Sequence, residues 1–203
     1  MHTLVVILGG YGIGSIPIAY LITRALTGRD IRRLGSGNVG VMNTVRQAGL
    51  PAGMLVFAGE GSKSAAVYSL GRLLSNNDQR LILVSGVAAL IGVNWSVFLG
   101  FSGGRGTTFG TFFCAFLAWK IVVLGALVWL AAYLAWRDTF LATRTNILLL
   151  PVTVFVATRS WTISTFAMFA GLILLIRHRR ETDDRLQIAH QPVAIDDIPP
   201  PDQ

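Results

Sequence analysis

The stretch 34–46 reads LGSGNVGVMNTVR and joins glycines to uncharged hydrogen-bond donors and one cation. Glycine lets the backbone take positive φ and approach a ligand closely, and successive exposed N–H groups in such a turn form a concave anion site. A guanidinium at its end suits phosphate. The pattern indicates a phosphate site, and the alternative is a loop of small residues between membrane helices. The candidate ligand-contacting residues are Gly35, Ser36, Gly37, Asn38, Gly40, Asn43 and Arg46.

A second glycine loop follows at 103–106, where GGRG precedes two threonines. It holds a cation in its middle and leads into an apolar helix. Helix N-termini favour phosphate, because their free N–H groups and the helix dipole both point at it. This loop is a weak signal by itself. Its candidate substrate-binding residues are Gly103, Gly104, Arg105 and Gly106.

Two ionisable residues, Glu60 and Lys63, fall inside an apolar run three positions apart, and therefore on one helix face. Ionisable groups at membrane depth are costly and rarely face lipid. Two interpretations stay open. The pair neutralises itself as a structural element, or Lys63 reaches an anionic ligand while Glu60 holds it in place.

Composition places these residues in a polytopic membrane protein. The chain has 203 residues, of which 53% are hydrophobic and 13% charged, and its mean hydropathy is +0.60. The net charge of +7 does not indicate nucleic-acid binding here, because the basic residues lie in short loops between apolar runs. A single cysteine, Cys114, excludes an internal disulfide and a cysteine metal cluster. We expect no metal and no other cofactor.

The apolar runs predict an all-α bundle of about seven transmembrane helices. The first run is expected to be a retained helix, since the N-terminus lacks the basic region of a cleaved signal. The run 107–136 would rise about 45 Å as one helix, which exceeds a hydrocarbon core of about 30 Å, so we divide it near Trp119. The predicted spans are Leu4–Leu26, Pro51–Leu74, Leu81–Leu99, two within Thr107–Trp136, Thr145–Thr158 and Trp161–Ile176, with Arg137 and Arg144 bracketing a polar turn.

The basic residues predict an orientation. Most of the 17 lysines and arginines fall on one side if the glycine loops are cytoplasmic, which favours an outside N-terminus and an inside C-terminus. Residues 1–180 then form one transmembrane domain. Residues 181–203, rich in proline and acids, are expected to be a disordered cytoplasmic tail.

A cation-rich, donor-rich mouth bounded by lipid suits a phosphate ester or an acyl phosphate. The sequence shows no Ser-His-Asp spacing, no HExxH motif and no cysteine nucleophile. Such a site suits direct transfer, in which one substrate attacks another that carries a good leaving group. Positioning and charge neutralisation would supply most of the catalysis.

The motifs resemble those of the bacterial acyl-phosphate:glycerol-3-phosphate acyltransferases, the PlsY family. The similarity covers most of 14–179 in order and spacing, and its first motif is long and specific. It is carried by Gly14–Pro17, Asp30–Arg32, Gly35–Asn43 with Arg46, Lys63, Asn94–Phe101, Gly103-Gly104 and Arg177–Arg179.

The resemblance implies an integral protein of the bacterial cytoplasmic membrane that moves a fatty acyl group from acyl phosphate to the 1-position of glycerol 3-phosphate. The products are lysophosphatidic acid and phosphate, an early step of phospholipid synthesis, and neither acyl-CoA nor a metal is needed. By motif match, Ser36, Arg46 and His178 would be catalytic. The implied partners are the two substrates, membrane lipid and, as candidates, other enzymes of phospholipid synthesis.

The sequence departs from the family pattern in its second and third motifs. Arg105 replaces a lysine, so charge is kept while a point ammonium becomes a fork. Glu181 stands where the family has asparagine, and the later GTE is absent. This divergence keeps open the alternative of a catalytically impaired relative that binds lipid phosphate or a partner protein. A further alternative is a small transporter or channel that uses the glycine loops as an anion pathway.

Overall fold

The computed structural model describes residues 2–178, and these residues form a bundle of eight α-helices. Two of them, His2–Ser15 and Ile18–Thr27, are halves of one segment interrupted at Ile16–Pro17, so the described residues contain seven helical segments, which confirms the predicted all-α fold. The helices are α1 (His2–Ser15), α2 (Ile18–Thr27), α3 (Val41–Leu74), α4 (Gln79–Asn94), α5 (Thr107–Leu117), α6 (Trp119–Trp136), α7 (Thr139–Thr158) and α8 (Trp161–Arg177).

The chain is a polytopic integral membrane protein. Three helical stretches among the described residues are long and apolar enough to cross a bilayer: His2–Thr27, Trp119–Trp136 and Thr139–Thr158. The helices Gln79–Asn94, Thr107–Leu117 and Trp161–Arg177 are apolar but shorter. Large apolar side chains are exposed along the outer faces, as lipid contact requires.

The helices break where the sequence removes a backbone donor or a side chain. Pro17 has no N–H and separates α1 from α2. Gly49, with φ +86°, kinks α3 two residues before Pro51, so that Pro51 lies in the first turn after the kink. Ala118 is extended, with φ −166° and ψ 115°, and divides α5 from α6 as the length argument predicted.

Three helix or loop boundaries predicted from the sequence were wrong. The first glycine loop ends at Gly40, because α3 begins at Val41 and makes 41–46 helical. Helix α4 ends at Asn94, and a short 3-10 helix occupies Val97–Leu99. Arg144 lies inside α7 instead of beside a turn. Asp138 caps that helix, and its Oδ1 accepts from the N–H of Phe140 at 2.7 Å.

Close backbone contact joins α1 to α4. A Cβ at Gly14 would collide with the carbonyl oxygen of Ala89, and one at Gly92 would lie 2.8 Å from the backbone nitrogen of Ser15. The main core packs α4 and α5 against α3, α7 and α8, around Leu90 and Phe113. The proposed tail, 181–203, lies outside the described residues.

Candidate functional site

The side chain of Asn43 holds the first glycine loop in place. Its Nδ2 donates to the carbonyl oxygens of Leu34 at 3.0 Å, Asn38 at 3.0 Å and Ile31 at 3.4 Å. Gly35 and Gly37 take φ values of +51° and +68°, in the left-handed region that favours glycine. Asn43 is 1% exposed, so the structure shows it shaping the loop.

Two of the three residues that the motif match assigns to catalysis, Ser36 and Arg46, flank Asn43 in the sequence. Ser36 is half-buried, and its Oγ accepts from the N–H of Asn38 at 3.4 Å. Arg46 is exposed one turn after Asn43 on α3. Gly40 is extended and is the N-cap of α3, and its carbonyl accepts from the N–H of Thr44.

The second glycine loop fits against the first. A Cβ at Gly104 would collide with the carbonyl oxygen of Val39, so the two loop backbones touch. The N–H of Gly104 donates to the Val93 carbonyl at 3.0 Å, and Arg177 Nη2 donates to the Gly103 carbonyl at 2.9 Å. The loops therefore meet at one end of the bundle, which we call the loop end.

An ion pair links the first loop to the 3-10 helix after α4. Arg32 contacts Asp30 through Nη2 at 2.6 Å and donates from Nη1 to the Leu99 carbonyl at 3.3 Å. Hydrogen bonding from the Arg32 side chain holds the pKa of the Asp30 carboxyl below its usual value. The pair ties the loop end together outside the spanning helices.

Lys63 is turned toward the break in the first helical segment. Its Nζ lies 2.9 Å from Glu60 Oε1 and donates to the carbonyl oxygens of Ile16 at 2.9 Å and Gly14 at 3.4 Å. These contacts match the three donors of an ammonium group. Pro17 has no N–H to donate, and the N–H of Ile18 donates to the Ile16 carbonyl. Lys63 therefore supplies hydrogen bonds to the carbonyl oxygens at this break in the helix. The contacts favour the structural interpretation, and ligand contact by Lys63 stays a prediction.

Lys63 also lines a small pocket of about 10 Å³ with both loops, which we call the polar pocket. Val39 comes from the first loop, Gly103 and Gly104 come from the second, and Ser96 closes one side. The sequence-predicted loops and Lys63 therefore border one pocket, whereas Ser36 and Arg46 are not among its lining residues.

A second, much larger cavity of about 560 Å³ lies between α4, α5, α6, α7 and α8. Arg105 and His178 line it where α5 begins and α8 ends, at the loop end. Its opposite end is apolar, with Ile121, Val154 and Ile163 among the lining residues. A cavity with two basic side chains at one end and hydrocarbon at the other matches a ligand with a charged head and a long tail.

His178 is held by aromatic stacking. Its imidazole lies 4.7 Å from the Phe140 ring centre, with the planes 14° apart. Arg144 places its guanidinium carbon 5.6 Å from the same ring centre. Phe140 and His178 are both 5% exposed. Sequence reasoning missed this stack, because no local pattern connects residues almost forty positions apart.

Sequence reasoning also missed the large cavity and the hydrogen bond that Arg177 donates to the Gly103 carbonyl. Cavity width comes from helix packing, which periodicity does not encode. A signal did exist for the cavity: small residues recur on its lining helices, including Gly86, Gly110 and Gly125.

The bundle and its large cavity define an integral membrane protein whose cavity has basic side chains at one end and apolar ones at the other. The sequence model of the family described as glycerol-3-phosphate acyltransferase matches residues 4–187. The chain belongs to the glycerol-3-phosphate acyltransferase family.

Curated relatives agree with this assignment. A glycerol-3-phosphate acyltransferase of Syntrophomonas wolfei is 34% identical over 177 residues, which cover 87% of this chain and 89% of that protein. One from Caulobacter vibrioides is 31% identical and covers 86% and 80%. Glycerol-3-phosphate acyltransferase 1 of Dehalococcoides mccartyi is 46% identical over 97 residues; the match spans about half of each chain, 48% of this one and 47% of that one.

Solved structures show the same fold. PlsY, an integral membrane glycerol 3-phosphate acyltransferase, matches in its glycerol 3-phosphate form with a TM-score of 0.78 at 29% identity, covering 94% of both chains. Its lysophosphatidic acid form matches with a TM-score of 0.77 at 28% identity and the same coverage.

Proposed function

We propose that this chain transfers a fatty acyl group from acyl phosphate to the 1-hydroxyl of glycerol 3-phosphate, releasing phosphate and lysophosphatidic acid. Family membership supports acyl transfer to glycerol 3-phosphate. The identity of the donor as acyl phosphate rests on the motifs and on the shape of the site.

The observation that carries the proposal is the shared wall between the two pockets. The 103–106 loop contributes Gly103 and Gly104 to the small polar pocket and Arg105 to the apolar cavity. An acyl donor with its chain in the cavity would place its phosphate beside Arg105 and His178. An acceptor at the first glycine loop would then lie on the other side of the 103–106 loop.

The reaction balances without a further co-reactant. The acceptor oxygen forms a bond to the acyl carbon, the bond from that carbon to the phosphate oxygen breaks, and the hydroxyl proton ends on the released phosphate. In this proposal Ser36 and Arg46 bind the acceptor's polar groups, and His178 acts at the donor phosphate. Holding both substrates in one geometry supplies much of the rate enhancement, so no cofactor is invoked.

The glycine residues would supply close backbone approach to the phosphates. Gly35, Gly37 and Gly40 shape the first loop with Asn38 and Asn43, and Gly106 takes φ +76° as the N-cap of α5. Phosphate at that helix N-terminus would gain from the dipole and from free N–H groups.

The site would face the cytoplasm in the bacterial plasma membrane. The bias of basic residues supports this orientation, with the C-terminus inside. Glycerol 3-phosphate is water-soluble and the acyl donor is amphiphilic, so a site at the membrane surface reaches both.

The test is an assay of purified protein in lipid with acyl phosphate and glycerol 3-phosphate, measuring phosphate release and lysophosphatidate. Ser36→Ala and Arg46→Ala are expected to lower kcat/KM by about 100-fold or more, since each removes a polar contact to a charged ligand. Ser62→Ala and Arg80→Ala are matched controls. Ser62 bonds within its own helix, and Arg80 is exposed where α4 begins, at the opposite end of that helix from the loops.

An inactive wild-type protein beside an active relative would contradict the proposal, as would full activity in both Ser36→Ala and Arg46→Ala. Acyl transfer from acyl-CoA alone would contradict the assigned donor while leaving the acceptor intact.

A further inference from the structure

The large cavity ends in a packed floor on the side away from His178. Four buried side chains line this end and pack in one hydrophobic cluster: Leu83, Ile121, Val154 and Ile163. Each of the four is 6% exposed or less, and they come from α4, α6, α7 and α8. We call these four side chains the floor, because four helices converge there.

The break between α5 and α6 lies against the floor as well. Leu117 ends α5, Ala118 is extended, and both pack on the floor cluster. Ala167, one turn of α8 from Ile163, belongs to the same cluster. Closed in this way, the cavity has a defined length between its two basic side chains and its floor.

Helix α8 lines the cavity over that whole length. Its lining residues recur every three or four positions: His178, Leu174, Ala170, Ala167 and Ile163. The N–H of His178 donates to the Leu174 carbonyl at 2.8 Å, so the helical rise continues to His178. Fifteen positions separate His178 from Ile163, a distance of about 22 Å along the helix axis.

This distance corresponds to a number of carbon atoms. Bonds of about 1.5 Å advance an extended chain by about 1.3 Å per atom, and the two bonds from phosphorus to the carbonyl carbon take up about 3 Å. With the donor phosphate beside Arg105 and His178, the chain reaches the floor after about 15 or 16 carbons. We propose that the floor limits the acyl chain of the donor to about 16 carbons, an inference that rests on the proposed function.

The limit acts on long chains and leaves short ones nearly equal. A donor enters the cavity from hydrocarbon, and lipid tails are as apolar as the cavity wall, so each methylene gains little by the transfer. A chain that is too long must displace packed side chains. Overpacking of this kind corresponds to a loss of about 5- to 150-fold in kcat/KM.

A series of saturated acyl phosphates, from octanoyl to eicosanoyl, tests the limit with the full-length protein in nanodiscs of one lipid composition. The measurement is kcat/KM from phosphate release at one fixed concentration of glycerol 3-phosphate, with the donor expressed as its mole fraction. The wild type should use octanoyl to palmitoyl chains with similar kcat/KM. It should lose about tenfold or more with stearoyl and eicosanoyl chains.

Leucine at two α8 alanines should shorten the limit by graded amounts. Ala167 and Ala170 lie about 16 Å and about 12 Å from His178 along the helix, so leucine there should stop the chain after about ten and about seven carbons. Within each variant, the ratio of kcat/KM for palmitoyl to that for octanoyl phosphate should fall about tenfold or more. The decanoyl donor should be lost in Ala170→Leu alone. Ala131→Leu, exposed on α6 and outside the cavity lining, is the matched control.

Ile163→Ala changes the limit in the opposite direction without overpacking the helix. Removing this side chain lowers the floor by about two carbons, so the ratio of kcat/KM for stearoyl to that for palmitoyl phosphate should rise about tenfold. Leu172→Ala, at a position 57% exposed on the same helix, is the control. This variant decides the inference if both leucine variants fail to fold.

A chain that leaves the cavity sideways into lipid would give equal kcat/KM up to eicosanoyl phosphate, and that result overturns the inference. An unchanged length profile in Ile163→Ala also overturns it. An inactive wild-type protein refutes the proposed function instead. Alkyl phosphates from octyl to eicosyl then test the limit through the rise in Tm that they cause, which should disappear beyond hexadecyl phosphate; an equal rise at every length overturns the limit.

Discussion

Replacing Lys63 with methionine should destabilise the fold more than it weakens substrate binding. Lys63 is 6% exposed, and its Nζ contacts Glu60 Oε1 and the carbonyls of Gly14 and Ile16. Methionine is unbranched and only one atom shorter than lysine, and it removes every one of these bonds. Glu60 then stays at 12% side-chain exposure with no cation beside it. Breaking a buried pair from one side costs about 3–5 kcal/mol.

That cost corresponds to a fall in Tm of about 6–20 °C, since 1 kcal/mol shifts a chain of this size by about 2–4 °C. The assay is thermal unfolding in one fixed detergent, beside the KM for glycerol 3-phosphate. The double variant Glu60→Gln with Lys63→Met should recover part of the loss, because no buried charge remains. An unchanged Tm with a KM raised tenfold or more would refute this reasoning and restore Lys63 as a ligand-binding residue.

Three further variants probe the loop end. Gly104→Ala should raise the KM for glycerol 3-phosphate at least tenfold, because its Cβ collides with the Val39 carbonyl. Gly12→Ala is the control, since a Cβ there meets no atom within 4 Å. An equal KM in the two variants would contradict a role for the contact between the loops. Phe140→Leu should lower kcat up to about tenfold by loosening His178, since aromatic pairs contribute about 0.5–1.5 kcal/mol. Phe140→Tyr keeps an aromatic ring and should retain the wild-type kcat. Equal losses of kcat in the two variants would argue against stacking. Asp30→Asn should lower Tm by about 2–4 °C at pH 7 for a pair worth about 1 kcal/mol. The pKa of Asp30 is depressed in the fold, so this stabilisation is present above about pH 4 and disappears as pH falls lower; a Tm difference that persists at pH 2–3 would exclude the ion pair as its cause.

The helical architecture could be predicted because membrane burial leaves strong local signals. Apolar runs predicted the number of segments, and the length limit on 107–136 predicted the break at Ala118. The unusual backbone of the two glycine loops was visible as well, since glycine marks backbone that needs positive φ or close approach; that these loops bind phosphate stays a prediction. The structure shows positive φ at Gly37 and close approach at Gly104.

The pairing of distant residues could not be predicted in this way. Lys63 meets the carbonyl of Ile16 across 47 positions, and His178 meets Phe140 across two helices. Both contacts depend on helix rotation and on how closely backbones pack, which composition does not determine. Boundary errors had a local cause: Asp138 caps α7 earlier than the apolar pattern suggests, and that moved Arg144 into the helix.

The large cavity is bounded by helices with lipid-facing outer surfaces, whereas the two glycine loops lie at one end of the bundle. The effective concentration of a donor that enters the cavity from hydrocarbon is its mole fraction in the bilayer or micelle. The effective concentration of a water-soluble acceptor is its molarity. Adding inert detergent at constant total donor should therefore slow the enzyme by surface dilution, while the half-saturating molarity of the acceptor stays constant.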